Sequence, residues 1–252
     1  MRPGVQLAGG RLRACVIAAL VWGAIGCATP AMRAPGVTVV PGRVVALPTD
    51  GVVWEMDVDG RRTRFKDASE AAVQNFNDSI AYRLGLHGGH SVAPELLKSW
   101  PWATPFGAWS ARMMSEIMTE RLGRAFVQHE SVTDWRYGRA LAPWRDRLGA
   151  DYLLVSTFSE GRNTAGRALS VALTGGYLAA RRAMACVVRL EDGWVVWCNM
   201  IDLVAPLEQR SGAQAVADTL LTGLLGKPPK KSQPSPRAIP GGRAADPLAP
   251  QN

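Results

Sequence analysis

No apolar run in this sequence is long enough to cross a bilayer as a helix, no second ligand pair stands at metal-binding spacing, and no fixed-period repeat divides the chain. A spanning helix needs ~20 apolar residues, whereas the most apolar stretch, Ala14–Ile25, has twelve. Positive charge is also scarce where nucleic-acid binding would need it. The formal charge is +8, but residues 1–26 hold three arginines and no acid. Residues 227–252 set Lys227, Lys230, Lys231, Arg237 and Arg243 against Asp246 alone. Residues 27–226 are left with +1, too little for the concentrated field that phosphate recognition requires, so nucleic acid is excluded as a partner. Cysteine is sparse too, at Cys15, Cys27, Cys186 and Cys198.

What is present starts at the amino terminus. Arg2, Arg11 and Arg13 precede the apolar run, and Gly26-Cys27 follows it at once. A basic segment, a short apolar segment and a small-residue cleavage site predict a signal peptide over residues 1–26. Ala24-Ile25-Gly26-Cys27 resembles the lipobox of bacterial lipoproteins, with Ala24 in place of the commoner Leu. The resemblance implies that Cys27 becomes the first residue of the mature chain and carries acyl groups such as palmitate, making the membrane a partner. An ordinary signal peptide followed by an unrelated cysteine is the alternative. Ala28 lacks the acidic character associated with inner-membrane retention in enterobacteria, so the expected address is the outer membrane, facing the periplasm.

The mature body of about 200 residues is enough for one substantial core. Residues 27–42, rich in Ala and Pro, read as the lipidated Cys and a tether, with a first strand possible at Val37–Val40 and Arg43–Leu47. Val52–Val58 alternates as a strand does and ends at the turn dipeptide Asp59-Gly60. Val73, Phe76, Ile80 and Leu84 share one face of a helix over Asp67–Leu84, capped by Asp67 or Ser69 and stopped at Gly85. Further helices are predicted over Gly107–Leu122, Tyr137–Leu148, where Pro143 demands an early position or a kink, and Ala213–Leu225. Asp151–Phe158 reads as a buried strand, and Ala183–Leu190 with Trp194–Leu203 as a hairpin around Glu191-Asp192-Gly193. A three-residue loop places Leu190 opposite Trp194 and Cys186 opposite Cys198; a two-residue loop offsets the cysteines by one position. The first is favoured because it gathers one apolar face. The order predicts an α/β fold, a single mixed sheet packed with helices in a three-layer or two-layer sandwich, occupying residues 43–226. Seven prolines in residues 227–252 and few large apolar side chains predict a disordered basic tail.

Three segments carry a family resemblance: Asp134-Trp135-Arg136-Tyr137-Gly138, Gly149-Ala150-Asp151-Tyr152-Leu153-Leu154-Val155, and Gly193-Trp194-Val195-Val196-Trp197-Cys198-Asn199. They resemble a group of uncharacterised proteobacterial outer-membrane lipoproteins, over roughly residues 39–225. More distantly, the anchor and the strand near Asp151 are similar to periplasmic domains of the curli-secretion lipoproteins and to the N-terminal domain of the Tol-system propeller protein. The resemblance implies a small α/β sandwich used for assembly with other envelope proteins, and it supplies no catalytic residue.

Several residues have the types that chemistry uses. Gly89-His90-Ser91-Val92-Ala93 approaches the nucleophile elbow of hydrolases, but a helix enters it, Pro94 follows closely and the fifth residue is Ala. An envelope hydrolase at Ser91 is therefore a minor alternative. His87, His90, His129 and Glu130 are candidate metal ligands only if the fold gathers them, since the glycines between His87 and His90 argue against a helix. No metal, no cofactor and no enzymatic activity are expected. Asp151 reads either as an acid in a cleft or as a turn cap. Trp100, Trp102 and Trp135 either line a groove or lid the core. Cys186 and Cys198 are either one disulfide or two buried thiols. The segment around Ala168–Ala180, small and apolar between Arg167 and Arg181, has three readings. It is a buried crossover, an exposed loop for docking or self-association in an oligomeric export or pore component, or an element dipping into the membrane interface.

Overall fold

The computed structural model describes residues 31–92, 97, 103–121, 134–176 and 178–226. The signal peptide, Cys27, His129, Glu130, Trp100, Trp102 and the tail lie outside the described residues.

The centre of the molecule is β6 (Tyr152–Asn163), a twelve-residue strand that continues the apolar run after Asp151 through Asn163. Three connected strands lie to one side. β7 (Arg181–Arg189) pairs antiparallel with β6, β8 (Val195–Asp202) antiparallel with β7, and β1 (Met32–Arg33) antiparallel with β8. On the other side β6 has two successive parallel neighbours. β2 (Val44–Ala46) pairs with its first turn of residues and β3 (Asp50–Met56) with its second half. β4 (Arg62–Arg64) extends β3 and β5 (His90–Ser91) extends β2, completing an eight-stranded mixed sheet.

Helices cover both faces, so the fold is the three-layer form of the expected sandwich. α1 (Lys66–Gly85) and α5 (Arg210–Leu225) bury Phe76, Ile80, Leu84, Val216 and Leu220 on one face. On the other, α2 (Ala103–Arg121) and α3 (Trp144–Leu148) bury Phe106, Met113, Ile117 and Leu148. Pro143 caps α3 and separates it from a 3-10 turn at Arg139–Leu141, because proline has no N–H to continue a helix. At the start of α1 the expected side-chain cap is absent. Ser69 instead accepts the Val53 N–H at 2.9 Å and donates to the Phe65 carbonyl, tying the helix to β3.

Four expectations need correction. The tether is shorter than its composition suggests: Met32 and Arg33 pair with Cys198 and Trp197, and Ala34 is buried. Val37–Val40 forms no strand, since Val40 leads directly into the 3-10 turn at Pro41–Arg43. The β7–β8 register sets Cys186 opposite Cys198 but slips at Val187/Val188, so Val188 faces Val195 and Trp194 does not face Leu190. Leu190 packs on the α2 side while Trp194 lies against the α1–α5 side. A bulge of this kind re-aims every side chain beyond it. The buried-crossover reading of Ala168–Ala180 fails: α4 (Ala165–Thr174) buries none of its residues.

Candidate functional site

A cavity opens at the break between β2 and β3. Leu47-Pro48-Thr49 interrupts the edge, and Pro48 has no N–H to donate to β6. Thr49 holds the interruption in place, its hydroxyl 2.7 Å from that of Ser156 and its N–H donated to Asn77 Oδ1 at 2.8 Å. A cleft of about 390 Å³ opens there between β6 and α2, lined chiefly by Leu47, Phe106, Met114 and Val155. Among the described lining residues Asp50 is the ionisable one, and Ser110, Ser115 and Ser156 also line the cleft. The Ser110 hydroxyl donates to the Gly107 carbonyl, and Ser156 is engaged with Thr49. The described lining offers apolar contact with a polar margin.

The residues singled out in the sequence are dispersed. Ser91 sits in β5, opposite Ala46, so it lies within a paired strand and not at a strand-to-helix turn. His90 is its neighbour in the same two-residue strand, and successive strand side chains point to opposite faces. His87 lies in the preceding loop, with its Nε2 buried and unbonded. Among the described residues, no three of His, Cys, Asp and Glu come together as a metal site. Asp151 is clamped by two arginines: Arg43 Nε at 2.8 Å and Arg145 Nε at 2.6 Å. The Arg43 hydrogen bond, with help from Arg145, lowers its pKa to about 2. It is a carboxylate brace between the 3-10 turn that precedes β2 and α3, not a proton donor near neutral pH.

The three segments of the family resemblance meet at one end of the sheet. The Tyr137 N–H donates to Gly193 O at 2.9 Å, and the Val195 N–H donates to Trp135 O at 3.1 Å. Arg136 forms a bridge with Trp194. Gly193 has φ +68°, and the backbone of Gly138 occupies the space a Cβ would need, so glycine is required there. The guanidinium carbons of Arg136 and Arg189 lie over the Trp194 ring, 4.6 and 5.0 Å from its centroid. Both arginines reach Asp192, and the Arg189 hydrogen bond lowers the pKa of that carboxyl. Trp135 is buried edge-on against Trp109, 6.2 Å between centroids, so it lids the core. Cys186 and Cys198 are bonded, with their Cα atoms 4.1 Å apart, and the bond lies within the apolar α2-side core.

At the opposite end lies a buried carboxylate that sequence patterning does not flag. Glu160 is 1% exposed. Its Oε2 accepts the Leu207 N–H at 3.0 Å, while Arg162 and Arg181 stand 3.3 and 3.6 Å from Oε1. It ties β6, β7 and the β8–α5 connection together. Its signal in the sequence is an acid embedded in an otherwise strand-like run. α4 stands beside this cluster, its apolar stripe of Ala165, Ala168, Leu169, Ala172 and Leu173 facing outward.

No protein-family model matches the sequence, and no curated protein matches it. Among solved structures, a single-residue variant of the PelC dodecamer from Paraburkholderia phytofirmans is similar at 13% identity and a TM-score of 0.37, over 78% of this chain and 99% of that one. A second PelC dodecamer crystal form gives 15% and 0.37, over 79% and 99%. The LpoB C-terminal domain from Salmonella enterica gives 16% and 0.27, over 66% and 84%. Likenesses at these scores assign no role to any residue of this chain.

Proposed function

We propose that this protein is a lipid-anchored component of the bacterial envelope that acts by binding, without catalysis, on the periplasmic face of the outer membrane. The observation that carries the reading is Ala24-Ile25-Gly26-Cys27 placed directly after a basic segment and an apolar run of secretory length. The Cys186–Cys198 bond supports it, since disulfides persist in exported compartments. The near-neutral body and the apolar cleft beside α2 suit contact with another envelope protein better than turnover of a polar substrate. Stable attachment takes more than one acyl chain, as the lipoprotein resemblance implies.

Replacing Cys27 tests the reading. In cells producing the full chain, the parent protein fractionates with membranes and the Cys27→Ala variant moves to the soluble fraction. Retention of Cys27→Ala in the membrane pellet would remove the anchor, and the envelope role with it.

A further inference from the structure

Strand polarity places the anchor and the outward-facing apolar helix at the same end of the molecule. β6 ends at Asn163, β7 begins at Arg181, β3 ends at Met56 opposite Asn163, and β8 ends at Asp202 opposite Arg182. The β6–β7, β3–β4 and β8–α5 connections therefore all leave the sheet at this end. β1 runs antiparallel to β8, with Met32 opposite Cys198, so β1 itself runs away from this end and its first residue is the one nearer to it. Five residue steps separate Cys27 from Met32, a reach of at most ~17 Å. From the level of Cys198 to the end of β8 at Asp202 is four strand residues, ~14 Å. When Cys27 is acylated, the chain between it and Met32 is long enough for this end to rest at the lipid surface.

The surface at this end carries an apolar patch on α4 beside the charged residues of the β3–β4 turn and Asp202. α4 carries Ala165, Ala168, Leu169, Ala172 and Leu173 at i, i+3, i+4, i+7 and i+8, all facing solvent, whereas Arg167, Ser170 and Val171 are turned partly toward the body. Leu169, Leu173 and Leu178 are joined there by Val58 of the β3–β4 turn and Val204 of the β8–α5 connection, each more than half exposed. Val58 abuts α4 directly, at the position where a Cβ on Gly166 would fall. Residues 161–182 include four arginines and no acid; Arg162, Arg181 and Arg182 among them are paired with Glu160, Glu208 and Asp202, and Asp57 and Asp59 flank Val58. Arg61, exposed in the β3–β4 turn, stands at the same end. An apolar stripe along one side of a short exposed helix, close to a lipid anchor, is the pattern of an element lying in the membrane interface with its apolar side among acyl chains. At ten residues α4 is ~15 Å long, half a hydrocarbon core, so it lies along the surface and does not cross it.

We infer that α4, with Val58, Leu178 and Val204, is a second membrane contact that seats the domain end-on against phospholipid and so fixes its orientation. This rests on the lipid-anchor reading. The anchor alone leaves the domain free to tumble on its tether; two attachment points do not. The seated molecule directs Trp194 and the β7–β8 turn, at the far end of the sheet, toward the periplasmic interior.

The test uses the acylated full-length protein in vesicles of phosphatidylethanolamine and phosphatidylglycerol. The photoreactive residue p-benzoylphenylalanine replaces Leu173, or Leu86 as the comparison site in the α1–β5 connection at the opposite end. The mass of the N-terminal peptide, read in the same sample, reports acylation. Lipid adducts at least ten-fold more abundant from position 173 than from position 86 are the expected result. Acylated protein that gives equal yields at the two positions, or adducts from position 173 to a second copy of the chain, overturns the inference and leaves the anchor standing. An N-terminal peptide without acyl mass overturns the anchor reading, and this inference with it.

Discussion

Replacing Glu160 with Ala removes one carboxylate and unties three parts of the chain at once. A fully buried ion pair broken on one side costs about 3–5 kcal/mol, but this pair is buried on one side only. The Arg162 and Arg181 side chains are 33% and 35% exposed, and Arg162 keeps Glu208 at 2.7 Å. Water and Glu208 take over much of their solvation, so the electrostatic loss falls toward the surface-pair range, below about 1 kcal/mol. The Leu207 N–H has no such substitute. Losing its acceptor at a buried position costs about 1–3 kcal/mol, and the void left by the shortened side chain adds about 1 kcal/mol. The expected total for Glu160→Ala is about 3 kcal/mol. Glu160→Gln keeps an oxygen for Leu207 but sets an amide donor against the arginines, and it recovers about half of that loss. The assay is urea unfolding of the purified full chain. With a slope of about 2–3 kcal/mol/M for a domain of this size, the Glu160→Ala midpoint falls by about 1 M. A midpoint change under about 0.3 M, within extrapolation scatter, would refute the reasoning.

Three further outcomes follow from particular contacts. Gly51 faces Phe158 across β3 and β6, and a Cβ there would overlap the Phe158 ring. Gly51→Ala should cost about 2 kcal/mol through overpacking and be partly relieved by Phe158→Leu; full additivity in thermal unfolding would count against the contact. The Cys186–Cys198 bond closes a twelve-residue separation, so Cys186→Ala with Cys198→Ala should lower stability by up to about 3 kcal/mol. Free thiol from these two residues in the denatured, unreduced parent would show that the bond is absent. Asp151 and Asp192 have folded pKa values below their unfolded ones, through Arg43 and Arg189 respectively. Their contribution is thus complete above the unfolded value and lost as pH falls through the folded one. For Asp151 the window runs from about pH 4 down to about 2. Asp151→Asn should flatten the stability profile across that interval, and an unchanged slope would deny the brace its role.

Much of the layer structure was legible because apolar periodicity survives folding: Phe76, Ile80 and Leu84 mark the buried face of α1 in sequence and in structure alike. The cysteine register was legible for the same reason, as far as the bulge at Val187/Val188, which no alternation pattern announces. β1 was hidden because two residues paired at an edge need no apolar run. The orientation of α4 was illegible in principle, since periodicity reveals that a helix has an apolar face and not what that face meets. The cleft depends on where Pro48 interrupts an edge shared by two strands, a tertiary fact with one local sign. Of the segments that resemble envelope lipoproteins, visible as motifs, two pack on one another, Trp135 to Gly138 on Gly193 and Trp194, while the third, Gly149 to Val155, leads into β6.

The claim on which the rest depends is the fatty modification near the amino terminus. Cells producing the full chain are grown with radiolabelled palmitate and the protein is purified under denaturing conditions. The account predicts label in the parent polypeptide and none in Cys27→Ala. A parent chain that emerges unlabelled contradicts it.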